Sequence, residues 1–159
     1  MGTDNKKKIF NGNWERKFEK NLYFTITSNF HKVYITGGSV IICDIEDKVI
    51  KIFKGYNYLY TGDISPDESE LFALENGKHF YIYSLKDYSL KLRVTLPRTY
   101  KAIDVCGFFS DDGMYLYVPV EKYVENEYRY WLCKYDTKSY SLLEMNRVKN
   151  ISEYHWKWF

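Results

Sequence analysis

Alanine is nearly absent from this chain: Ala73 and Ala102 are the only two in 159 residues. Alanine is the strongest helix former, so its scarcity beside abundant Tyr, Phe, Ile, Val and Thr disfavours an all-helical bundle. Long hydrophobic runs are missing as well. Stretches such as Val40–Cys43 are strand-sized, far short of the roughly 20 residues that cross a bilayer as a helix, and no membrane partner is expected. After Lys6, Lys7 and Lys8 only Ile9 and Phe10 precede Asn11, too little for a secretory apolar core. Three cysteines, Cys43, Cys106 and Cys133, cannot all pair and form no CxxC unit. They read as buried thiols in a reducing, cytoplasmic setting. An excess of one charge is also lacking, since 23 Lys+Arg face 21 Asp+Glu for a net +2. A nucleic-acid partner needs clustered cations against phosphate and is therefore not expected.

Catalytic and cofactor signatures are equally scarce. His31, His79 and His155 have neither the i, i+4 spacing nor the CxxC company of a metal site. Gly37-Gly38-Ser39 is a hairpin turn rather than a nucleophile elbow, and Gly77-Lys78 lacks the flanking residues of a phosphate loop. Asp67, Glu68, Glu70, Asp111 and Asp112 fall in turns, where carboxylates cap backbone and solvate the tip. Paired acid–base carboxylates would instead converge on a cleft. No catalytic residue, metal ligand or cofactor is predicted.

What the chain has is aromatics, 17 Tyr, 10 Phe and 4 Trp, and an internal repeat. Residues 60–97 divide into four β-patterned runs, Tyr60–Ser65, Glu70–Glu75, His79–Leu85 and Leu90–Leu96. Turn chemistry separates them: Pro66 presets φ, Asp67 suits an Asx turn, and Asn76-Gly77 tolerates positive φ. The same grammar recurs over 102–148, as Ala102–Ser110, Met114–Val120, Tyr128–Asp136 and Ser141–Val148, with Glu121–Glu127 read as a polar loop. It recurs less cleanly over 22–54. Aligning the serines before the first turn gives Ser28, Ser65 and Ser110, 37 and 45 residues apart. Three antiparallel four-stranded meander units follow within one all-β domain spanning 1–159. Lys8–Gly12 resembles Lys51–Gly55, so residues 8–12 are expected to be an orphan strand of a preceding unit. Residues 151–159 form an aromatic C-terminal segment that would begin a fourth.

Ser65-Pro66-Asp67-Glu68 and Ser110-Asp111-Asp112-Gly113, each between β runs, resemble the Ser-Pro-Asp-Gly turn of WD-repeat and bacterial β-propeller blades. Cys43-Asp44-Ile45 and Tyr135-Asp136-Thr137 stand where such blades close a later strand on an Asp step. The sequence departs from that family in having no Gly-His pair and no Trp-Asp dipeptide. The resemblance implies a partial β-propeller of about three blades, with a single curved sheet or a β-sandwich as the alternative architecture. A ring normally takes at least four blades. Three would leave open flanks, to be closed by a homodimer or by a separate protein partner.

In a propeller-like meander the inter-blade connections and the hairpins between second and third strands share one face. That face collects Trp14, Arg16, Tyr56, Tyr58, Lys78, Arg98, Tyr100 and Tyr123, residue types that anchor protein interfaces. Tyr154, Trp156, Trp158 and Phe159 are expected at an oligomer interface, since four aromatics in six residues would not stay exposed. The function expected is a non-enzymatic protein–protein interaction module or scaffold. The alternatives are a small immunity- or inhibitor-type protein that blocks a partner's active site, and a propeller-type lyase or hydrolase.

Overall fold

Residues held at positive φ divide the chain into strands. A computed structural model of the chain describes residues 6–8, 23–103 and 107–149. Within them Gly55, Gly77 and Gly113 turn at φ 95°, 122° and 72°, and Asp47, Glu68 and Tyr88 do the same as non-glycines. Between these points β-branched and aromatic residues make strands. β1 (Lys6–Lys8), β2 (Tyr23–Ile26), β3 (Lys32–Ile35), β4 (Ser39–Cys43) and β5 (Val49–Lys54) form the first sheet in that order. β6 (Leu59–Ile64), β7 (Glu70–Glu75), β8 (His79–Ser84) and β9 (Ser89–Thr95) form the second. β10 (Lys101–Ala102), β11 (Phe108–Phe109), β12 (Tyr115–Val124), β13 (Glu127–Asp136) and β14 (Leu142–Val148) form the third, in which β10 and β11 both pair with β12. Every pairing is antiparallel. The fold is all-β and propeller-like, with separate meander sheets rather than one curved sheet.

The sheets stack face to face in chain order, and alternation along each strand assigns the faces. Val33, Ile35, Val40 and Ile42 of the first sheet pack with Leu71, Ala73, Tyr81 and Tyr83 of the second. The opposite face of the second sheet, Phe72, Leu74, Phe80 and Ile82, packs with Leu116, Val118, Val120, Cys133 and Tyr135 of the third. Each large apolar side chain buried in this way contributes roughly 1.5–3 kcal/mol.

Glycine marks the closest approaches between sheets. A Cβ on Gly62 of β6 would lie 2.1 Å from Ile35 Cδ1, and one on Gly107 would lie 2.5 Å from Phe72 Cε1. Asp63, buried on β6, ties the second sheet to the third by accepting the Phe109 N–H at 2.9 Å.

Three local expectations are corrected. The run Ala102–Ser110 is not one strand but β10 and β11, which pair with β12 on either side of Val118 and Pro119. Proline has no N–H to give a ladder, and Pro119 sits opposite the break. The stretch Glu121–Glu127 is not a polar loop, because β12 and β13 continue through it to a two-residue turn. The repeat register shifts by one residue in the first unit. Thr27, not Ser28, makes the bonds of Ser65 and Ser110, receiving the amide of the strand that returns from the turn on its hydroxyl. Of residues 8–12 only Lys8 is described; it ends β1, which pairs with β2 in the first sheet.

Candidate functional site

The connectors and the second-to-third-strand hairpins are hydrogen-bonded into a continuous belt. Leu59 N–H donates to Gly37 O (2.7 Å), Asn76 N–H to Tyr58 O (2.6 Å), Leu96 N–H to Lys78 O (2.8 Å) and Ala102 N–H to Gly77 O (2.9 Å). Tyr58 stands exposed on the first connector, edge-on to Tyr60 at 5.9 Å. Lys78 and Arg98 stand exposed on the next hairpin and connector.

Two of the expected anchors are half-buried within the belt. Tyr56 accepts a hydrogen bond from Tyr83 Oη and meets the Tyr81 ring edge-on at 4.8 Å. Burial pushes its pKa up. Beside it lies Glu75, 7% exposed, which accepts the Tyr81 hydroxyl and the Asn57 N–H, both at 2.8 Å. Burial and that carboxylate push the Tyr81 pKa up to about 12. Glu75 thus pins the first connector. Tyr100 meets Trp131 edge-on at 5.0 Å, with the Lys122 amine 5.5 Å over its ring, an arrangement that holds the second connector on the third sheet.

The most exposed aromatics of the belt lie further along the third sheet. β10 pairs with β12 no further than Glu121, and β14 pairs with β13 no further than Tyr130. Among the described residues, 122–129 therefore run on as a two-stranded ribbon, closed by Glu125 and Asn126 at φ 51° and 64°. This is the primed turn that matches strand twist. Tyr123 and Tyr128 are cross-strand partners, with ring centroids 5.0 Å apart, and are 59% and 58% exposed. On the other side Arg129 is forked by Glu125 and Glu127, each at 2.6 Å, which stiffens the tip. Behind it, burial raises the Glu121 pKa against the opposing pull of Lys101.

The opposite face carries the first-to-second and third-to-fourth strand turns, with two cavities at the sheet junctions. One, of about 300 Å³, is lined by Ser65, Asp67, Glu70, Asp112 and Thr137. The other, of about 220 Å³, lies among Thr27, His31, Glu68 and Tyr88. Their polar groups are engaged in turn and junction bonds. Ser65 and Ser69 hydroxyls donate to Asp67, both at 2.7 Å, and Ser110 donates to Asp112 at 2.6 Å. These bonds hold both carboxyls below their ordinary range. Glu70 accepts from Tyr140 and Lys91, and His31 Nδ1 lies 2.8 Å from the Tyr88 hydroxyl. The Asp67 and Asp112 carboxylates are thus fixed as acceptors rather than poised to exchange protons. Burial pushes the Cys133 thiol up to about 12, which leaves it a weak nucleophile at neutral pH. Among the described residues no cluster of three His, Cys, Asp or Glu side chains could hold a metal.

Of the expected site residues, Tyr56, Tyr58, Lys78, Arg98 and Tyr100 lie along the belt and Tyr123 on the ribbon. Trp14, Arg16, Tyr154, Trp156, Trp158 and Phe159 lie outside the described residues. Sequence reasoning missed Tyr128, Lys122 and Trp131. The alternation of aromatic and charged residues across 121–131 was the available signal.

These observations define an all-β protein of propeller type. Among solved structures, the chain is similar to Kuenenia stuttgartiensis hydrazine synthase, with a TM-score of 0.61 and 15% identity over 82% of this chain and 38% of that one. It is likewise similar to the dihydro-heme d1 dehydrogenase NirN in complex with DHE, with a TM-score of 0.60 and 19% identity over 81% of this chain and 26% of that one. The chain spans well under half the length of either. No family model matches it, and no curated protein matches it in sequence. Among the described residues no helix is long and apolar enough to cross a membrane.

Proposed function

We propose that this chain is a protein–protein interaction module of β-propeller type, without an enzymatic role of its own, which engages its partner through the connector belt and the projecting β12–β13 ribbon. The observation that carries this reading is the exposed Tyr123–Tyr128 pair. A two-stranded ribbon that has left its sheet has little stability to spare for exposed apolar surface. Paired tyrosines on a rigid ribbon offer a large contact area at low entropic cost, as interface anchors do. Tyr58 and Arg98 supply further anchors, while the fixed Glu75 and Trp131 contacts hold the platform.

The similar solved structures are a synthase and a dehydrogenase by name. At under 20% identity and over 38% and 26% of their lengths, they support the fold and lend no reaction to this chain. A projecting ribbon also suits insertion into a cleft, so an inhibitor-type role that blocks a partner's active site is the second reading. Protein capture, by the ribbon or by ring closure, is common to both.

The test is site-specific photo-crosslinking in cells that express the chain. A crosslinker at Tyr123 should trap one discrete protein, and Tyr128→Ala together with Arg98→Ala should reduce its yield at least tenfold with the circular dichroism unchanged. A crosslinker at Lys86, on the turn face, should trap none. Equal trapping from both faces, or a yield insensitive to the two substitutions, refutes the belt and ribbon as the binding surface.

A further inference from the structure

Among the described tyrosines that meet ring to ring, one pair has both rings in solvent. Tyr56 meets Tyr81 at 4.8 Å and Tyr81 meets Tyr83 at 6.4 Å, but Tyr81 and Tyr83 are buried, with hydroxyls committed to Glu75 and Tyr56. Tyr58 is exposed, yet its neighbour Tyr60, 5.9 Å away, packs half-buried against the core. Tyr123 and Tyr128 differ. Both are exposed, and their ring centroids lie 5.0 Å apart with the planes at 62°.

Backbone register holds these two rings together. Glu125 and Asn126 make the two-residue turn, so Val124 and Glu127 flank it as its hydrogen-bonded pair. Antiparallel pairs alternate, which makes Tyr123–Tyr128 the non-hydrogen-bonded kind, with Cα atoms only about 4.5 Å apart and side chains at their closest. Arg129, forked by Glu125 and Glu127 at 2.6 Å each, keeps that register from the other side. Exposed side chains rotate in picoseconds to nanoseconds. Such rotation brings ortho carbons of the two phenols into contact without backbone movement.

We infer that Tyr123 and Tyr128 are a site of oxidative modification, where a haem peroxidase with hydrogen peroxide joins the two rings as dityrosine. Each phenol gives up one electron and its hydroxyl proton to form a tyrosyl radical. The radicals couple through one ortho carbon each, and the hydrogens on those carbons then move to the oxygens, restoring both hydroxyls. The pair thus loses two hydrogen atoms, and hydrogen peroxide takes them up to become two waters. Proximity favours this bond over coupling between chains. The product closes a covalent loop from 123 to 128 and turns two separate side chains into one rigid biaryl. Its effect on partner capture rests on the binding role proposed for the ribbon; the bond itself does not.

The test is peroxidase treatment of the full chain in dilute solution, read by mass spectrometry of tryptic peptides. Cleavage after Lys122 and Arg129 releases residues 123–129, which should be lighter by two hydrogens in the oxidised monomer. Further cleavage after Glu125 or Glu127 should leave the pieces joined. Tyr123→Phe and Tyr128→Phe each remove a phenolic hydrogen and should cut the dityrosine fluorescence of the monomer by at least about tenfold. Asn126→Pro should do the same by opening the turn, because proline fixes φ at about −65° and the position sits at 64°. A 123–129 peptide left unmodified overturns the inference, whether or not dityrosine forms elsewhere or between chains. So does an unchanged yield in Asn126→Pro, which would show that nearness in sequence suffices. None of these readouts involves a partner, so their failure is distinct from failure of the binding surface.

Discussion

Gly107 and Phe72 allow the nesting of the second and third sheets to be tested as a double-mutant cycle. A Cβ at Gly107 would sit 2.5 Å from Phe72 Cε1, 2.6 Å from Cζ and 3.2 Å from the Tyr117 carbonyl. Carbon atoms pack best at about 3.5–4 Å, so the ring must retreat by roughly 1 Å. It has little room to do so, being fully buried and edge-on to Phe80 at 5.5 Å. Gly107→Ala is therefore an overpacking substitution and should cost about 1–3 kcal/mol. Phe72→Ala removes the ring and leaves a cavity, at a cost of about 3–5 kcal/mol. In the double variant the new methyl enters vacated space. The two costs should then fall short of adding by about 1–2 kcal/mol, well outside the roughly 0.5 kcal/mol scatter of independent sites. Urea denaturation followed by circular dichroism measures all four corners. Additivity within that scatter would refute close nesting at this point.

Other predictions concern the turns and the buried side chains. Serine hydroxyls depress the Asp67 and Asp112 pKa values, so their contribution is fully present above the unfolded carboxyl value near 4 and is lost as pH falls through the folded values. Ser65→Ala and Ser110→Ala should flatten the acid limb of a urea-midpoint profile between about pH 2 and 6 and leave the alkaline limb unchanged. Tyr34, Tyr83 and Tyr140 have pKa values raised chiefly by burial. The stability linked to them is present below the unfolded value near 10 and declines as pH rises past it, so ultraviolet titration should show these phenolates forming only as the fold is lost. Buried Cys43 and Cys133 should react with a thiol reagent at least about 100-fold more slowly in native protein than in denaturant, because access requires opening. Glu75→Ala leaves the Asn57 N–H and the Tyr81 hydroxyl without their acceptor and should cost about 1–3 kcal/mol, read as a lower melting temperature.

The fold was legible where turn chemistry is written in single residues. Pro66, Asn76-Gly77 and Gly113 announce their turns, and β6 to β9 fall within a residue of expectation. Legibility failed where neighbouring residues can do the same job. Thr27 and Ser28 both carry a hydroxyl, and sequence alone cannot say which one takes the returning amide. In the fold Thr27 bonds His31 N–H at 3.0 Å, while Ser28 is drawn across the junction to Glu68. The ribbon tip was misread for a related reason. Glu125-Asn126 lacks the glycine that usually signals a primed turn, and the charges around it resemble a solvated loop. Cross-strand pairing of Tyr123 with Tyr128, and of Lys122 with Arg129, is a tertiary fact that local composition hides.

The same reasoning separates platform from anchor within the candidate site. Seven of the expected partner-binding types are aromatic or arginine, which made them equivalent on composition. The structure ranks those it describes by the contacts their side chains already make. Tyr56 accepts the Tyr83 hydroxyl and leans on Tyr81, and Tyr100 is held between Trp131 and Lys122, so truncating either should first destabilise a connector. Tyr58 and Tyr123 keep much of their surface in solvent, and Tyr123 gains its rigidity from Tyr128 and a two-residue turn rather than from the core. Truncating Tyr123 should therefore weaken partner capture while leaving the melting temperature within a degree or two, since exposed substitutions usually shift stability by less than about 0.5 kcal/mol. A Tyr56→Phe variant should do the reverse, losing the inter-tyrosine hydrogen bond at about 1 kcal/mol while leaving capture intact. If both variants moved stability and capture together, belt and ribbon would be a single cooperative surface, and the distinction drawn from their hydrogen bonds would fail.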